Sequence, residues 1–271
     1  MSAEPEPSDL VGRPVLPEAR RAAIAAPLRD QGAVTIAELE RRFDISAMTA
    51  RRDLDELERQ GVAQRTHGGA VAPSVSTHED SFARRVEIAA DAKAALARAA
   101  VEMLAAGETV FLDSSTSAYY VARRIVEAGV GVTAITNSVP IMNLIATSSV
   151  PKLSLVGVGG RLRELTRSFV GPFAVQTVVG HFADRAFFSV KGITSNGVMT
   201  DPDDLEAEVK RSMLAQAERT VLLIDGSKLA VRGVCVIGRV GELSDVLAYE
   251  TTPEQRERLQ APGVQLRVVG P

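Results

Sequence analysis

From about residue 82 onward the chain alternates short β-rich runs with helical stretches, and no other feature narrows its fold so far. The runs are Thr109–Leu112, Val132–Ile135, Leu153–Val156, Ala186–Val190, Val221–Ile224 and Val246–Tyr249, with a last one near Leu266–Val269. An Ala-rich helix over roughly Ala89–Ala106 precedes them. Neighbouring parallel strands need a crossover, usually a helix, so this rhythm predicts an α/β unit with a mostly parallel sheet covered by helices. In open sheets of that kind ligands bind outside the carboxyl ends of the strands, which makes the loop after each run the place to look for function.

The first part of the chain has a different texture. Residues 1–16 carry three prolines and scattered acids with little apolar content, and read as a disordered tail. Pro17-Glu18 starts a helix that runs to about Ala26, where Pro27 removes a hydrogen bond. Ile36, Leu39 and Phe43, then Ala50, Leu54 and Leu57, each fall on one face of a short helix. Asp44-Ile45-Ser46 breaks the chain between them, with Ser46 as N-cap of the second helix and Gly61 as its end. Gln64 to Val71 reads as a hairpin around Gly68-Gly69, a pair suited to a turn with positive φ. Residues 72–81 are rich in Pro, Ser and Thr, as a linker is. The expected domains are therefore 17–73, a linker at 74–85, and 86–271.

Bulk properties exclude some classes. Of 271 residues 45% are hydrophobic and 24% charged, which suits a globular chain with a sizeable core. No apolar run approaches the roughly 18 residues that cross a bilayer, and the acidic start is unlike a signal peptide, so a cytoplasmic location with no membrane contact is expected. The single cysteine, Cys235, permits no internal disulfide. Net charge is −3, and Arg20–Ala72 holds nine Arg against eight Asp or Glu, a net of +1. Electrostatics alone does not point to nucleic acid.

Placement does. With Ala50, Leu54 and Leu57 inward, the second helix turns Ala47, Met48, Arg51, Arg52 and Asp55 outward. Two adjacent arginines near the N-terminal half of a short helix suit the major groove, where Arg pairs bidentately with guanine or with phosphate. Small Ala47 and flexible Met48 allow close approach, and Arg65 and His67 on the hairpin tip could touch the adjacent backbone or minor groove. On periodicity alone, a helical packing module with solvated arginines explains the pattern about as well.

The strand ends tell a second story. Asp113-Ser114-Ser115-Thr116-Ser117 follows the first run and leads into a helix, a hydroxyl-rich turn whose backbone N–H groups could cradle an anion. Thr136-Asn137-Ser138 follows the second run. Gly157-Val158-Gly159-Gly160-Arg161, then Lys191-Gly192, then Asp225-Gly226-Ser227-Lys228 follow later ones. Each alone is more often an N-cap, a turn or a solvated lysine. Five such loops on one sheet edge describe a pocket for a polyhydroxylated, phosphorylated small molecule. No cofactor or metal is called for.

The stretch F-D-I-S-A-M-T-A-R-R-D-L-D-E-L-E-R-Q-G-V-A-Q-R-T-H-G-G-A, Phe43 to Ala70, resembles the N-terminal signature of the DeoR family of transcription regulators, above all in R-R-D-L and H-G-G-A. R-V-E-I-A-A-D-A-K, F-L-D-S-S-T-S, I-T-N-S, G-G-R-L, F-V-G-P, S-V-K-G-I, G-V-M-T and L-L-I-D-G-S-K-L follow the order of that family's sensor domain, so the likeness runs from about Arg20 to Tyr249. It implies a winged helix-turn-helix joined to a Rossmann-like sensor similar to ribose-5-phosphate isomerase. It places Ser46, Thr49, Arg51 and Arg52 on a recognition helix, and Arg65 and His67 on a wing. It also implies a sugar-phosphate effector that relieves repression. Ala50 and Pro27 depart from the pattern, as do Ser115, where the loop usually has Gly, and Ser117, where it has Thr.

The rival reading is an aldose–ketose isomerase, with Glu206 or Glu208 as base and Lys228 as the enediolate's cation. That enzyme has an Asp-rich stretch at the end of a central strand, whereas Phe187–Lys191 here reads F-F-S-V-K, so Glu206 is better taken as a surface charge or an acceptor for an effector hydroxyl. A sugar-phosphate binder without DNA activity is a third reading. The expected partners are double-stranded operator DNA, a phosphorylated sugar and further copies of the chain, as dimer or tetramer.

Overall fold

The computed structural model describes residues 16–31, 33–59, 62–66, 68–71, 79–229 and 231–270. The chain divides into two compact units between Val75 and Ser76.

In the first unit the elements are α1 (Pro17–Gln31), β1 (Ala33–Thr35), α2 (Ile36–Phe43), α3 (Ala47–Arg59), β2 (Gln64–Thr66) and β3 (Gly69–Val71). The strands form an antiparallel sheet in the order β1-β3-β2. Helix α2 starts in a capping box: Thr35 N donates to Glu38 at 2.8 Å and Glu38 N donates to Thr35 Oγ1 at 3.2 Å. Asp44, in the left-handed region at φ 49°, turns the chain toward α3. Ile36, Leu39, Ala50, Leu54 and Leu57 are in the core, as the helical spacing predicts, joined by Ile24, Leu28 and Ala70. Two expectations change. Helix α1 does not stop at Ala26 but runs through Pro27 to Gln31. Gly69 does not have positive φ; it is required because a Cβ there would lie 2.0 Å from Val34 O of β1. Gly61, expected to end α3, lies outside the described residues, as does His67.

The second unit opens with α4 (Phe82–Glu87), which the sequence reading did not anticipate, and α5 (Ala90–Val101), the expected Ala-rich helix ending five residues short of Ala106. Then come β4 (Thr109–Leu112), α6 (Thr116–Ala128), β5 (Thr133–Thr136), α7 (Val139–Ala146), β6 (Ser154–Gly157), β7 (Arg161–Arg163), β8 (Ser168–Val170) and α8 (Pro172–Val179). The chain continues through β9 (Ala183–Phe188), β10 (Gly192–Ile193), β11 (Val198–Asp201), α9 (Asp204–Ala215), β12 (Ala217–Asp225), β13 (Cys235–Arg239), β14 (Asp245–Tyr249), α10 (Pro253–Leu259) and β15 (Gln265–Val269).

The seven runs read from the sequence are the seven strands of one all-parallel sheet, ordered β15-β14-β12-β9-β4-β5-β6. Both faces are covered. Val110 and Leu112 join a core with α5, α6 and α7, while Phe111 between them joins α8 and α9 on the other face. The chain enters at β4, winds outward through β5 and β6, then returns to β9 and winds the other way. The boundary between β4 and β9 is thus the topological switch point, where a doubly wound sheet opens a crevice at its carboxyl edge. A small antiparallel sheet (β10-β11-β13) and the β7–β8 hairpin are additions with no clear periodic signal in the sequence.

Candidate functional site

Helix α3 carries one candidate surface. Ser46 caps it, its hydroxyl accepting from Thr49 N at 3.2 Å and lying 3.1 Å from the Thr49 hydroxyl. Met48 is 58% exposed, Arg51 and Arg52 are exposed, and Ala47 and Thr49 are half-buried. Arg65 does not project from the hairpin as expected. Its guanidinium pairs with Asp55, donates to Arg51 O at 3.1 Å, and its backbone N donates to Glu58 at 2.7 Å. It braces α3 against β2. The acid of R-R-D-L has a role that the helical pattern did not reveal. Asp53 is 3% exposed and accepts from Arg20 Nε at 2.5 Å and Nη2 at 3.2 Å, with Arg21 3.7 Å away, tying α1 to the inner face of α3.

The second surface lies at the β4–β9 switch point. Asp113, 1% exposed, ends β4. It accepts from Ser115 N at 3.0 Å, from Ser189 N beyond β9 at 3.2 Å and from Lys210 Nζ of α9 at 2.6 Å. Burial opposes the Lys210 charge, but Asp113, Asp201 and Glu206 outweigh it and hold the ammonium above its ordinary pKa. Burial pushes the Asp201 carboxyl up to about 6, against the pull of Lys210.

Ser114, Ser115, Thr116 and Ser117 are all buried. Ser115 is the N-cap of α6, accepting from Ala118 N at 3.1 Å, while Ser114 donates to Glu206 at 2.7 Å. Glu206 is no surface charge: at 2% exposure it also accepts from the hydroxyls of Thr166 and Ser168. With its carboxylate engaged by three hydroxyls it organises the loop after β4 and the β7–β8 hairpin. Glu208, the other candidate base, is half-buried on the same helix.

After β5, the Thr136 hydroxyl donates to Leu112 O at 2.6 Å and accepts from Ser138 N at 3.1 Å, while Asn137 Nδ2 donates to Phe169 O at 2.9 Å. Asn137 Oδ1 and Ser138 Oγ are buried without a hydrogen-bond partner. Across the switch point Lys228 donates to the Ser189 hydroxyl at 2.6 Å, which donates to Leu223 O at 2.7 Å. Asp225 accepts from Ser227. Half-buried Lys191 is followed by Gly192, where a Cβ would collide with Val231 O at 1.8 Å. Burial lowers the pKa of both Lys191 and Lys228. Gly159, Gly160 and Arg161 are exposed at the start of the β7–β8 hairpin, and no contact among the described residues draws them into this cluster.

The sequence reading missed several members. Lys93 is 5% exposed, and its ammonium donates to Arg85 O and Ile88 O at the end of α4. Burial, then Lys228, pull its pKa down to about 7. Arg85 Nε and Nη2 are buried with no acceptor. Arg163 pairs with Glu79 at 2.6 Å and with Asp203 at 3.1 Å. The only hint of Lys93 was its place in an Ala-rich helix, where a lysine on the inner stripe is out of pattern. Among the described residues no His, Cys, Asp and Glu group could hold a metal, and no helix is long and apolar enough to cross a membrane.

Comparison with known proteins is consistent across the chain. Residues 20–76 match the model of the DeoR-like helix-turn-helix domain, and residues 88–248 match the DeoR C terminal sensor domain. A protein named "Putative aga operon transcriptional repressor" from Escherichia coli O157:H7 is 33% identical over 258 residues, 93% of this chain and 93% of that one. "Transcriptional repressor AccR" of Agrobacterium fabrum is 32% identical over 87% of this chain and 93% of its own. An "L-fucose operon activator" of Haemophilus influenzae is 29% identical over 85% of this chain and 91% of its own. Among solved structures, ribose 5-phosphate isomerase A from Methanocaldococcus jannaschii overlaps 52% of this chain and 54% of its own, at 19% identity and a TM-score of 0.38.

Proposed function

The chain belongs to the DeoR family of transcription regulators, DNA-binding proteins rather than enzymes, and from that premise we propose that it represses sugar-metabolism genes under the control of a phosphorylated sugar. Residues 17–73 read DNA, 74–85 link, and 86–271 sense. Helix α3 enters the major groove with Ser46, Ala47, Met48, Thr49, Arg51 and Arg52 toward DNA, Arg65 bracing it from the hairpin, while His67 supplies the wing. One short helix reads few base pairs, so repeated half-sites call for a dimer or tetramer. The protein works in the cytoplasm, where its operator is.

The observation that carries the sensing half is the set of buried polar groups at the switch point that end without partners. Asn137 Oδ1 and Ser138 Oγ are orphaned beside hydroxyl-bearing loops, and Lys228 lies on the same sheet edge. A polar atom buried dry costs about 1–3 kcal/mol, and a hydroxylated, anionic ligand would satisfy it. Asp113, Ser114, Ser115, Thr116, Ser117, Thr136, Lys191, Gly192, Glu206 and Asp225 complete the walls, with Gly159, Gly160 and Arg161 reaching the rim. Glu206 serves here as an organiser of hydroxyls, not a catalytic base. The named relatives include repressors and an activator, and in this chain the effector relieves repression.

A thermal-shift panel of sugar phosphates against their unphosphorylated parents tests this. A ligand at 100 times its Kd stabilises its domain by about 2.7 kcal/mol. At 2–4 °C per kcal/mol that is about 5–11 °C for a unit of this size. A shift with one phosphorylated sugar that also weakens binding to the regulator's own promoter DNA supports the reading. No shift with any sugar phosphate sinks the sensing half.

A further inference from the structure

Arg85 stands on α4, the first helix after the division between the two units at Val75 and Ser76. That helix is held to the walls of the switch-point site. Phe82 N donates to Leu165 O at 2.8 Å, and the Phe82 ring packs edge-on against Tyr119 of α6 at 5.5 Å. The Tyr120 hydroxyl donates to Val86 O at 3.2 Å. The carbonyls of Arg85 and Ile88 are in turn bound by the buried Lys93 ammonium.

Two of the three guanidinium nitrogens have no such partners. Arg85 Nε and Nη2 are buried with nothing to donate to. Acids of the crevice hold other partners: Asp113 and Asp201 hold Lys210, Glu206 three hydroxyls, Glu79 Arg163, Asp80 Arg84 and Asp225 Ser227. Arg85 also lies close enough to Lys93, Lys191 and Lys228 to push the pKa of each one down. A guanidinium does not shed its proton, so it cannot relieve this crowding by becoming neutral. An anion can. The planar fork of N–H donors fits two oxygens of a phosphoryl group bidentately, while ammonium groups supply point charges to the rest.

We propose that Arg85 is a phosphate ligand of the effector site, so that α4, the first helix of the second unit, is itself held by the bound phosphomonoester. This rests on the sensing function proposed above and adds how sensing reaches DNA. The phosphate grips the chain ten residues after the first unit ends at Val75. Occupancy therefore biases the position of α4, and by linkage operator DNA biases phosphate affinity to the same extent.

The test uses the full chain and two probes, inorganic phosphate and ribose 5-phosphate, with ribose as the uncharged control. Calorimetric titration compares wild type with Arg85→Gln, Arg85→Lys and Arg84→Gln, the last at an exposed neighbour paired with Asp80. Arg85→Gln should weaken the phosphorylated probes by about tenfold or more, the usual scale for a charge-assisted hydrogen bond. Arg85→Lys should fall between, and Arg84→Gln should match wild type. Phosphate should slow amide hydrogen exchange across residues 82–88 in wild type and not in Arg85→Gln. Equal binding by wild type and Arg85→Gln overturns the role of Arg85 and leaves the proposed function standing. Undiminished exchange in α4 of phosphate-bound wild type overturns the coupling. Inorganic phosphate binding as tightly as ribose 5-phosphate sustains Arg85 but identifies free phosphate as the occupant. Failure of both probes to bind wild type overturns the anion site and this inference together.

Discussion

Changing Asp53 to Asn should loosen the DNA-reading unit far more than a surface change on the same helix. The amide has nearly the volume of the carboxylate, so packing is preserved and the charge is isolated. Asp53 has a side chain 4% exposed, Arg20 11% and Arg21 26%. Removing one partner of a fully buried pair costs about 3–5 kcal/mol, and the residual exposure of the arginines places this one near 3 kcal/mol. Residues 17–73 number 57, and at about 0.05–0.15 kcal/mol per residue such a unit holds about 3–9 kcal/mol in total. The substitution therefore removes a third or more of its stability. At about 4–8 °C per kcal/mol for a unit this small, its midpoint should drop by about 12–24 °C. Circular dichroism of the full chain should show the helix-rich first transition moving down while the second stays. The Arg20→Gln, Asp53→Asn double variant should cost less than the sum of the singles. A drop below about 4 °C, roughly 1 kcal/mol, would refute the claim that this ion pair joins α1 to α3.

Three other outcomes are expected. Arg51→Ala or Arg52→Ala should cost about 1–3 kcal/mol in operator binding where the side chain reads a base, seen as lost discrimination between operator and random DNA; a phosphate contact instead lowers the salt slope by about one with little loss of discrimination. Lys210→Met should destabilise the second unit by about 3 kcal/mol, or about 6–12 °C, because Asp113 stays buried with two backbone donors but no cation. Lys93 has a folded pKa lowered to about 7 from 10.5, so between those values the unfolded chain binds the extra proton. Stability should then rise with pH from about 7 toward 10, the penalty being fully present below 7. Lys93→Met should flatten that rise in a pH series of thermal melts.

What the sequence made legible depends on periodicity. All seven strands of the parallel sheet were readable because each is a compact apolar, β-rich run bounded by polar or glycine-containing turns. The helices α2 and α3 were readable from three apolar positions each. The short antiparallel additions β7, β8, β10, β11 and β13 carried no such rhythm. Within the site, Asp113, the serines after it, Asn137 and Lys228 were found because they follow strands. Lys210, Lys93 and Arg85 come from helix interiors and reach the same crevice through side-chain length, which one-dimensional spacing does not encode. Asp53 escaped for a related reason. Its charge hid it among solvated neighbours on α3, and only the fold brings Arg20 to it from 33 residues away.

The winding of the sheet also sets an order in time. The DNA-reading unit is complete at Val71, whereas Asp113 meets Lys210 across 97 residues and Ser114 meets Glu206 across 92. At a synthesis rate of about 5–20 residues per second, a loop made at β4 waits about 5–20 s for the partners that α9 brings. Until then β4, β5 and β6 can pair, but a buried carboxylate without its ammonium resists closure of the crevice. On the proposed function, each new chain thus acquires its grip on DNA first and its response to the effector last. A chain cut short before α9 would keep the grip and lose the response, an unresponsive copy able to occupy the operator.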